Sequence, residues 1–361
     1  MNALRDTLIE RDILPRRYGI SRGRTFIYGA PKVGKTSLAL QFALGFKKPL
    51  YIDLDDMRVK RDEVQAYLLK LYLEKGLDIL VLDNYKKDMF GDFLGGDSNQ
   101  LLPNLQDIVL IGKIQECPSG FSPKCILPLC FEEFVSFDSK NFALKNLFNF
   151  FLKEGNLPQM LEISAYKRLQ TKKEWLQSAL QGRMDLFLNI LSFQAQSITP
   201  NAIYERVKKQ MRISKDILYV TLKQWEENGI IFYVPNVIDR GSKKLYFFDF
   251  SLPSLISFEK NLSTQLENML FLELCKICEQ RVSSENHNRV VCGTMGEFYI
   301  HKSAYIFIPF ATSELIAQKI AHIDSTNIAI ITLSFEGEGS AEGKKWKAMQ
   351  FVDFALGEAY W

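Results

Sequence analysis

Gly29-Ala30-Pro31-Lys32-Val33-Gly34-Lys35-Thr36 is the stretch that indicates the fold of this chain of 361 residues. It matches the pattern G-x-x-x-x-G-K-[ST] in full. The glycines let the backbone approach a phosphate closely, and the N–H groups of such a loop form a nest for an anion. Lys35 is predicted to bind the β- and γ-phosphates of a nucleotide, and Thr36 to offer its hydroxyl to Mg²⁺. The predicted nucleotide-binding residues are Gly29, Ala30, Pro31, Lys32, Val33, Gly34, Lys35, Thr36 and Ser37.

The segments around this loop alternate between strand and helix patterns. An apolar strand is predicted at residues 24–28, directly before the loop, and a helix from Lys35 to about Phe46. Further strands are predicted at residues 49–54, 77–82 and 107–111, with a helix at 62–75. Near-continuous apolar runs are typical of parallel strands that are buried on both faces. The sequence therefore predicts an α/β fold with the parallel sheet of a P-loop NTPase.

A magnesium site beside the loop also needs an acidic side chain at the end of a neighbouring buried strand. Asp83 and Asp53 both meet this condition. Asp83 is preferred because its strand is the longer apolar run. In addition, ATPases that hydrolyse with a glutamate-activated water have one strand between the loop and the acid. Asp53, with Asp55 and Asp56, then forms a solvated strand end or an outer acidic cluster.

Asn84 limits the chemistry that this site is expected to perform. In that class of ATPase a glutamate follows the metal-binding aspartate, whereas Asn84 cannot take a proton from water at neutral pH. Its amide can still orient a water molecule by hydrogen bonding. Lys35, Asp83 and Asn84 are therefore the predicted catalytic residues. The expected activity is binding of ATP with Mg²⁺ and a slow or impaired hydrolysis.

The composition is that of a soluble globular protein, with 47% hydrophobic and 24% charged residues, so disorder as the main state is excluded. The formal net charge of +3 neither requires nor excludes nucleic acid. No apolar run is long enough for a membrane span, and residues 1–6 are too polar for a signal peptide. The 6 cysteines are too few for a disulfide scaffold, and Cys275 and Cys278 are spaced for packing on a helix. A cytoplasmic protein with reduced thiols is expected.

The sequence pattern divides the chain into three predicted domains, as its length favours. Residues 1–182 contain the P-loop ATPase domain with a helical extension. Residues 183–252 contain three predicted helices and two strands, in the order of a winged helix-turn-helix. Thr199 and Ser214 are predicted to cap the second and third of these helices. Residues 253–361 form a small α/β domain, with a loop predicted at residues 337–340.

Basic residues concentrate in the second and third helices of the middle domain. The six that lie between residues 201 and 223 are Arg206, Lys208, Lys209, Arg212, Lys215 and Lys223. Such an excess is the footprint expected of contact with duplex DNA, to which Lys243 and Lys244 in the wing would add backbone contacts. The alternative is a packing module whose lysines are solvated. A DNA-binding regulator in which the P-loop is only a nucleotide sensor is thus the alternative to an ATPase.

Taken together, these features resemble a bacterial and archaeal group of P-loop ATP-binding proteins in the AAA superfamily. Besides the loop, four stretches carry the resemblance, in the same order as in the group: LYIDLDDMR (residues 50–58), LPLCFEEF (127–134), GNLP (155–158) and LENMLFLEL (266–274). The most specific is residues 127–134, which is similar to the group's proline-leucine-phenylalanine-glutamate segment. The resemblance implies an ATPase domain, a winged helix and a C-terminal domain like a restriction endonuclease.

The chain departs from this group at two places. Asn84 stands where the group has a glutamate. An endonuclease would need an acid on one strand and Glu-x-Lys on the next to hold Mg²⁺, whereas Glu297 is the only acid in the corresponding strands. The expectation is an endonuclease-like fold without its nuclease site; a nuclease with an unrecognised metal site is a third alternative. An arginine supplied by a second copy to the ATPase site would require a homo-oligomer.

Overall fold

A computed structural model describes residues 16–60, 62–74, 76–90, 94, 105–138, 141–180, 182–237, 243–259, 261–280, 290–341 and 343–357. The chain divides into two compact units, Met1–Ile126 and Leu127–Trp361. The division into three domains at residues 182 and 252 stays a prediction, and the opening residues 1–6 lie outside the described ranges. Within those ranges, no helix combines the length and the apolarity needed to cross a bilayer.

The first unit is built on a parallel sheet. Its strands are β1 (Arg24–Tyr28), β2 (Pro49–Asp53), β3 (Ile79–Tyr85), β4 (Asp107–Gly112) and β5 (Ser122–Cys125). Its helices are α1 (Lys35–Ala43), α2 (Val64–Leu73) and the short α3 (Lys87–Phe90). The strand order is β2-β3-β4-β1-β5, and every neighbouring pair is parallel. The predicted α/β fold with a parallel sheet is confirmed, and a glycine-rich loop joins β1 to α1 as in a P-loop NTPase core.

The central strands of this sheet are buried because their apolar side chains fill both faces. Leu82 and Phe26 are both in register with Leu110 on β4, and none of the three is exposed to solvent. The edge strand β5 was not predicted from the sequence, since Pro123 interrupts its pattern. Proline has no backbone N–H to donate to a neighbouring strand, so it is tolerated in a strand at the sheet edge.

The second unit combines helices with a separate hairpin and a mixed sheet. Its helices are α4 (Phe131–Ser136), α5 (Leu144–Glu154), α6 (Ala165–Ala179), α7 (Met184–Leu191), α8 (Pro200–Val207), α9 (Lys215–Glu227), α10 (Leu262–Gln280), α11 (Ser313–Ala321) and α12 (Phe351–Ala355). Its strands are β6 (Ile231–Pro235), β7 (Lys243–Phe247), β8 (Val291–Cys292), β9 (Glu297–Ile300), β10 (Ser303–Phe307), β11 (Asn327–Thr332), β12 (Gly337–Ala341) and β13 (Lys344–Gln350). Strands β6 and β7 pair as an antiparallel hairpin, and the others form a sheet in the order β12-β13-β11-β10-β9-β8.

Two helices before the hairpin begin where the sequence predicts. The hydroxyl of Thr199 accepts a hydrogen bond from the N–H of Ala202 at the start of α8. The hydroxyl of Ser214 accepts one from the N–H of Ile217 at the start of α9. Each cap satisfies a backbone donor that would otherwise lack a partner, so the helix starts are encoded locally.

The prediction of a loop at residues 337–340 is wrong, because these residues belong to β12, which pairs with β13. In the structure, a Cβ atom at Gly339 would lie 2.7 Å from the indole of Trp346 on β13. The glycine is needed because the indole lies directly over the backbone of the neighbouring strand.

Buried charges join distant segments of the second unit. Glu133, within the segment most specific to the resemblance, forms an ion pair with Lys276 of α10. Lys172 of α6 donates hydrogen bonds to a carboxylate oxygen of Asp249 (2.7 Å), to the hydroxyl of Ser251 (2.7 Å) and to the carbonyl oxygen of Glu154 (2.8 Å). Buried charges are stable only when they are paired and hydrogen bonded. These contacts therefore fix the packing of helices that are far apart in the sequence.

Candidate functional site

The loop between β1 and α1 follows a tightly curved path. Gly29, Lys32 and Gly34 have positive φ angles of 140°, 61° and 93°. A Cβ atom at Gly29 would lie 2.4 Å from the carbonyl oxygen of Ile126, so only glycine fits at this position. Gly34 is the N-cap of α1 and has no side chain that could bond the first N–H groups of the helix. These donors, at the positive end of the helix dipole, are left for an anion.

Lys35 begins α1, and its side chain turns back over the loop. Its ammonium donates hydrogen bonds to the carbonyl oxygens of Gly29 (3.0 Å) and Ala30 (2.7 Å). Burial lowers the pKa of the Lys35 ammonium to about 8, while the nearby carboxylate of Asp83 opposes this decrease. A phosphate in the loop would offer the ammonium charged acceptors in place of two neutral carbonyl oxygens.

The structure brings Thr36 and Asp83 into direct contact. The Thr36 hydroxyl donates a hydrogen bond of 2.6 Å to Oδ2 of Asp83, and the Tyr51 hydroxyl donates another at 3.2 Å. Only 7% of Asp83 is exposed. Burial raises the pKa of Asp83, while the hydrogen bond from Thr36 and that from the N–H of Asn84 lower it. A hydroxyl and a carboxylate side by side are the hard oxygen donors that Mg²⁺ prefers, so this pair fits a magnesium ion completed by phosphate and water.

The strand order explains why Asp83, and not Asp53, contacts Thr36. Strand β4 lies between β1 and β3, so one strand separates the loop from Asp83, as the preference for Asp83 required. Asp53 is in register with Asp83 but lies on β2, one strand further from the loop. Neighbouring strands are about 4.8 Å apart. Asp53 is therefore displaced by one strand spacing from the position that Thr36 can reach.

Asn84 connects the two aspartates. Its backbone N–H donates a hydrogen bond of 2.9 Å to Oδ1 of Asp83, and its side-chain amide donates one of 2.8 Å to Oδ1 of Asp53. Asn84 has a φ of 55°, a left-handed conformation that asparagine adopts more readily than most residues. Its side chain is exposed at the end of β3. The role of Asn84 in orienting a water molecule stays a prediction.

Two groups at this site were not predicted from the sequence. Tyr51 lies two positions before Asp53 on β2, and a hydroxyl-bearing side chain in an otherwise apolar strand was the available signal. The carbonyl oxygen of Ile126, which restricts Gly29, belongs to a backbone that any residue could provide. Sequence patterns carry no information about such a backbone contact, because it depends on the chain path alone.

The basic residues proposed for DNA contact on α8, on α9 and between these helices are exposed. Arg206 lies in α8, Lys215 begins α9, and Lys208, Lys209 and Arg212 lie between these helices. Lys208 is also paired with a carboxylate oxygen of Glu205 at 2.6 Å.

The expectation that Lys244 contacts DNA is wrong. This residue is only 6% exposed, and its ammonium lies 2.9 Å from a carboxylate oxygen of Glu267 on α10. The carboxylate makes burial of the lysine possible. The neighbouring residue Lys243 is exposed.

Glu297, the acid considered for a nuclease site, is buried. Its carboxylate accepts hydrogen bonds from the N–H of Met295 (2.8 Å) and from the hydroxyl of Tyr299 (3.2 Å). In the part of the chain that the structure describes, no three His, Cys, Asp or Glu side chains lie together as metal ligands would. The loss of the nuclease site nevertheless stays a prediction.

The chain was compared with family models, with curated proteins and with solved structures. No family model matches the chain. An uncharacterized protein of Methanocaldococcus jannaschii is 27% identical over 374 aligned residues, which cover 88% of this chain and 78% of that protein. Among solved structures, the Walker-type ATPase PABY2304 of Pyrococcus abyssi is similar with a TM-score of 0.44 at 14% identity, over 70% of this chain and 93% of that chain. None of these similarities establishes a function for this chain, so a function is inferred from the geometry around Lys35, Thr36 and Asp83.

Proposed function

We propose that the chain is an ATP-binding protein of the AAA superfamily and a slow ATPase, and that its nucleotide state controls a winged-helix module. The observation that carries the proposal is the hydrogen bond between Thr36 and Asp83. It places a hydroxyl and a carboxylate together beside a complete phosphate loop. The loop provides donors for the phosphates, and the paired oxygens provide ligands for the magnesium ion that accompanies them.

In this proposal each residue has a separate role. The backbone N–H groups of residues 29–37, except Pro31, which has none, surround the phosphates, and Lys35 neutralises charge on the β- and γ-phosphates. Thr36 and Asp83 hold Mg²⁺, which supplies further charge neutralisation when it is bound. Asn84 can orient water but cannot act as a general base at neutral pH. Titration of the full chain with a fluorescent ATP analogue tests the proposal; saturable binding that ATP displaces is expected, and no binding at millimolar nucleotide would contradict it.

The affinity for ATP is expected to fall as the pH rises. Lys35 has a pKa of about 8 in the free protein, and only its protonated form neutralises phosphate. Between pH 7 and pH 9 the protonated fraction falls about tenfold, so Kd is expected to rise about tenfold. Calorimetric titration at pH 7, 8 and 9 measures this change. In Lys35→Arg the charge persists at every pH tested, so its affinity should not change with pH. An equally flat profile in the wild type would contradict the expectation.

Hydrolysis is expected to be slow because Asn84 occupies the position of the general base. A general base contributes about 10²–10⁴-fold to a rate. We therefore expect a kcat near or below about 0.1 s⁻¹, against a typical enzyme value of about 10 s⁻¹. Phosphate release at saturating ATP and Mg²⁺ measures it, with Lys35→Ala as the control for contaminating ATPases. A kcat near the typical value would show that another group activates the water.

Duplex DNA binding through the three helices and the hairpin is a second proposed function. It is favoured by the exposed cations on α8, on α9 and between them. The order α7, α8, α9, β6, β7 supports the proposal, because three helices followed by a hairpin are expected of a winged helix. In this proposal, α9 contacts the groove and the connection from α8 contacts phosphates.

Reversal of three charges tests the DNA proposal. The combined change of Lys208, Lys209 and Arg212 to Glu is expected to weaken duplex binding at low salt more than 100-fold and to flatten its salt dependence. The same number of reversals at the exposed residues Lys145, Lys173 and Lys302 is the matched control. Both variants are compared by fluorescence anisotropy, with and without ATP. Equal losses in the two variants would mean that only net charge matters, and no binding at low salt would eliminate DNA as a partner.

A further inference from the structure

None of the residues assigned to ATP and Mg²⁺ is available to take a proton from the attacking water. Lys35 is a cation, Thr36 and Asp83 are assigned to the metal ion, and Asn84 carries an amide. Hydrolysis of a nucleotide is helped by a residue that orients the water and accepts its proton. Such a residue must lie at the same end of the sheet and close to Asp83.

Asp53 lies at this place. It ends β2 and is in register with Asp83 on the neighbouring strand β3. The side-chain amide of Asn84, the residue after Asp83, donates a hydrogen bond of 2.8 Å to Oδ1 of Asp53. A carboxylate is therefore present at the end of the residue 84 side chain, although residue 84 itself is an amide.

The carboxylate of Asp53 has one oxygen held by the protein and one oxygen open to water. Oδ1 accepts the hydrogen bond from Asn84 and a second one, of 3.0 Å, from the N–H of Asp55. Within the described ranges Oδ2 accepts no hydrogen bond, and the residue is partly exposed to solvent. Because a carboxylate can accept bonds at both oxygens, the two bonds fix its orientation and leave Oδ2 for a water molecule.

We propose that Asp53 is the general base of the slow ATP hydrolysis and that Asn84 positions it. The inference rests on the proposed function, since the substrate is ATP held by the phosphate loop. Oδ2 of Asp53 takes a proton from a water molecule while the water oxygen forms a bond to the γ-phosphorus. The bond between the γ-phosphorus and the bridging oxygen breaks, and its electron pair leaves with ADP. The proton then passes from Asp53 to solvent.

The position of Asp53 agrees with a hydrolysis that is slow but not absent. Asp53 lies one strand further from the phosphate loop than Asp83 does. A base that is displaced from its best position contributes less than the roughly 10²–10⁴-fold of a well-placed one. We therefore expect Asp53 to raise kcat about tenfold.

Asp53→Asn tests this role while keeping the local hydrogen bonds. The Oδ1 of an asparagine can still accept both bonds, but its amide cannot take a proton from water. The rate of single-turnover hydrolysis is expected to fall about tenfold. The Kd for ATP, measured with and without Mg²⁺, should stay within about threefold of the wild type. Asp55→Asn, the same loss of charge at an exposed residue two positions on, is the matched control and should hydrolyse ATP like the wild type.

An exchange of the two side chains tests the role in the opposite direction. Asp53→Asn combined with Asn84→Asp keeps the net charge and transfers the carboxylate to the other side of the same hydrogen bond. Aspartate tolerates the left-handed φ of 55° that residue 84 adopts. The exchanged variant should therefore hydrolyse ATP at least as fast as the wild type.

The outcomes separate this inference from the proposed function. It is overturned, with nucleotide binding intact, if Asp53→Asn hydrolyses ATP like the wild type or if Asp55→Asn loses as much activity. It is also overturned if the exchanged variant shows no recovery, or if the wild type binds ATP but hydrolyses it no faster than Lys35→Ala. Absence of ATP binding would overturn the proposed function and this inference with it.

Discussion

Lys35→Ala is expected to raise the Kd for ATP about 1,000-fold. Hydrogen bonds to the carbonyl oxygens of Gly29 and Ala30 hold the Lys35 ammonium against the phosphate loop. With nucleotide bound, it would exchange these for charged phosphate oxygens. Each charge-assisted hydrogen bond contributes about 1.5–3 kcal/mol, and loss of two such bonds corresponds to about 4 kcal/mol in affinity. Titration with ATP and Mg²⁺ by calorimetry measures the change.

Lys47→Ala is the matched control for this experiment. Lys47 is an exposed lysine just beyond the other end of α1, so the variant makes the same change in net charge far from the loop. Its affinity for ATP should stay within about twofold of the wild type, as expected for a screened surface charge. Circular dichroism of both variants establishes that they are folded. Equal, tight binding by wild type and Lys35→Ala would reject the phosphate loop as the nucleotide site.

Lys172→Met should lower the free energy of unfolding by about 3–5 kcal/mol. The variant leaves the carboxylate of Asp249, which is fully buried, without its ion pair. It also removes the donors to the Ser251 hydroxyl and the Glu154 carbonyl oxygen. Removal of one partner of a buried ion pair is costly because the other charge remains uncompensated. Urea denaturation followed by circular dichroism measures the loss.

The neighbouring residue supplies a control on the same helix. Lys173 of α6 is exposed, and Lys173→Met should change the free energy of unfolding by less than about 0.5 kcal/mol. Adding Asp249→Asn to Lys172→Met removes the buried negative charge and should recover part of the loss. A loss below about 1 kcal/mol in Lys172→Met would show that the carboxylate finds water or another partner when the lysine is absent.

Several features could be predicted from the sequence because they depend on residues that are close in the chain. The loop at residues 29–36 needs glycines at two places and a lysine before the helix, and all of these lie within eight residues. The caps at Thr199 and Ser214 bond N–H groups three residues further on. The strands around Leu82 and Leu110 were predicted because strands buried on both faces need continuous apolar runs.

Other features could not be predicted because they depend on residues that are distant in the chain. The sequence favoured Asp83 but left Asp53 open as an alternative, and the strand order places Asp83, not Asp53, against Thr36. From the sequence, Lys244 was expected to contact DNA from the wing, whereas in the structure it pairs with Glu267. The glycines of β12 led to the prediction of a loop, whereas in the structure they belong to a strand and Trp346 lies over Gly339.

The sequence by itself thus determined the phosphate loop, the parallel sheet around it and the helix starts. Each of these follows from backbone conformation or side-chain period over a few residues. The tertiary structure alone decided which lysines are exposed and that the Tyr51 hydroxyl joins Asp83 beside Thr36. These depend on which strands and helices become neighbours, since a charge or hydroxyl is buried or solvated according to the groups that the fold packs against it.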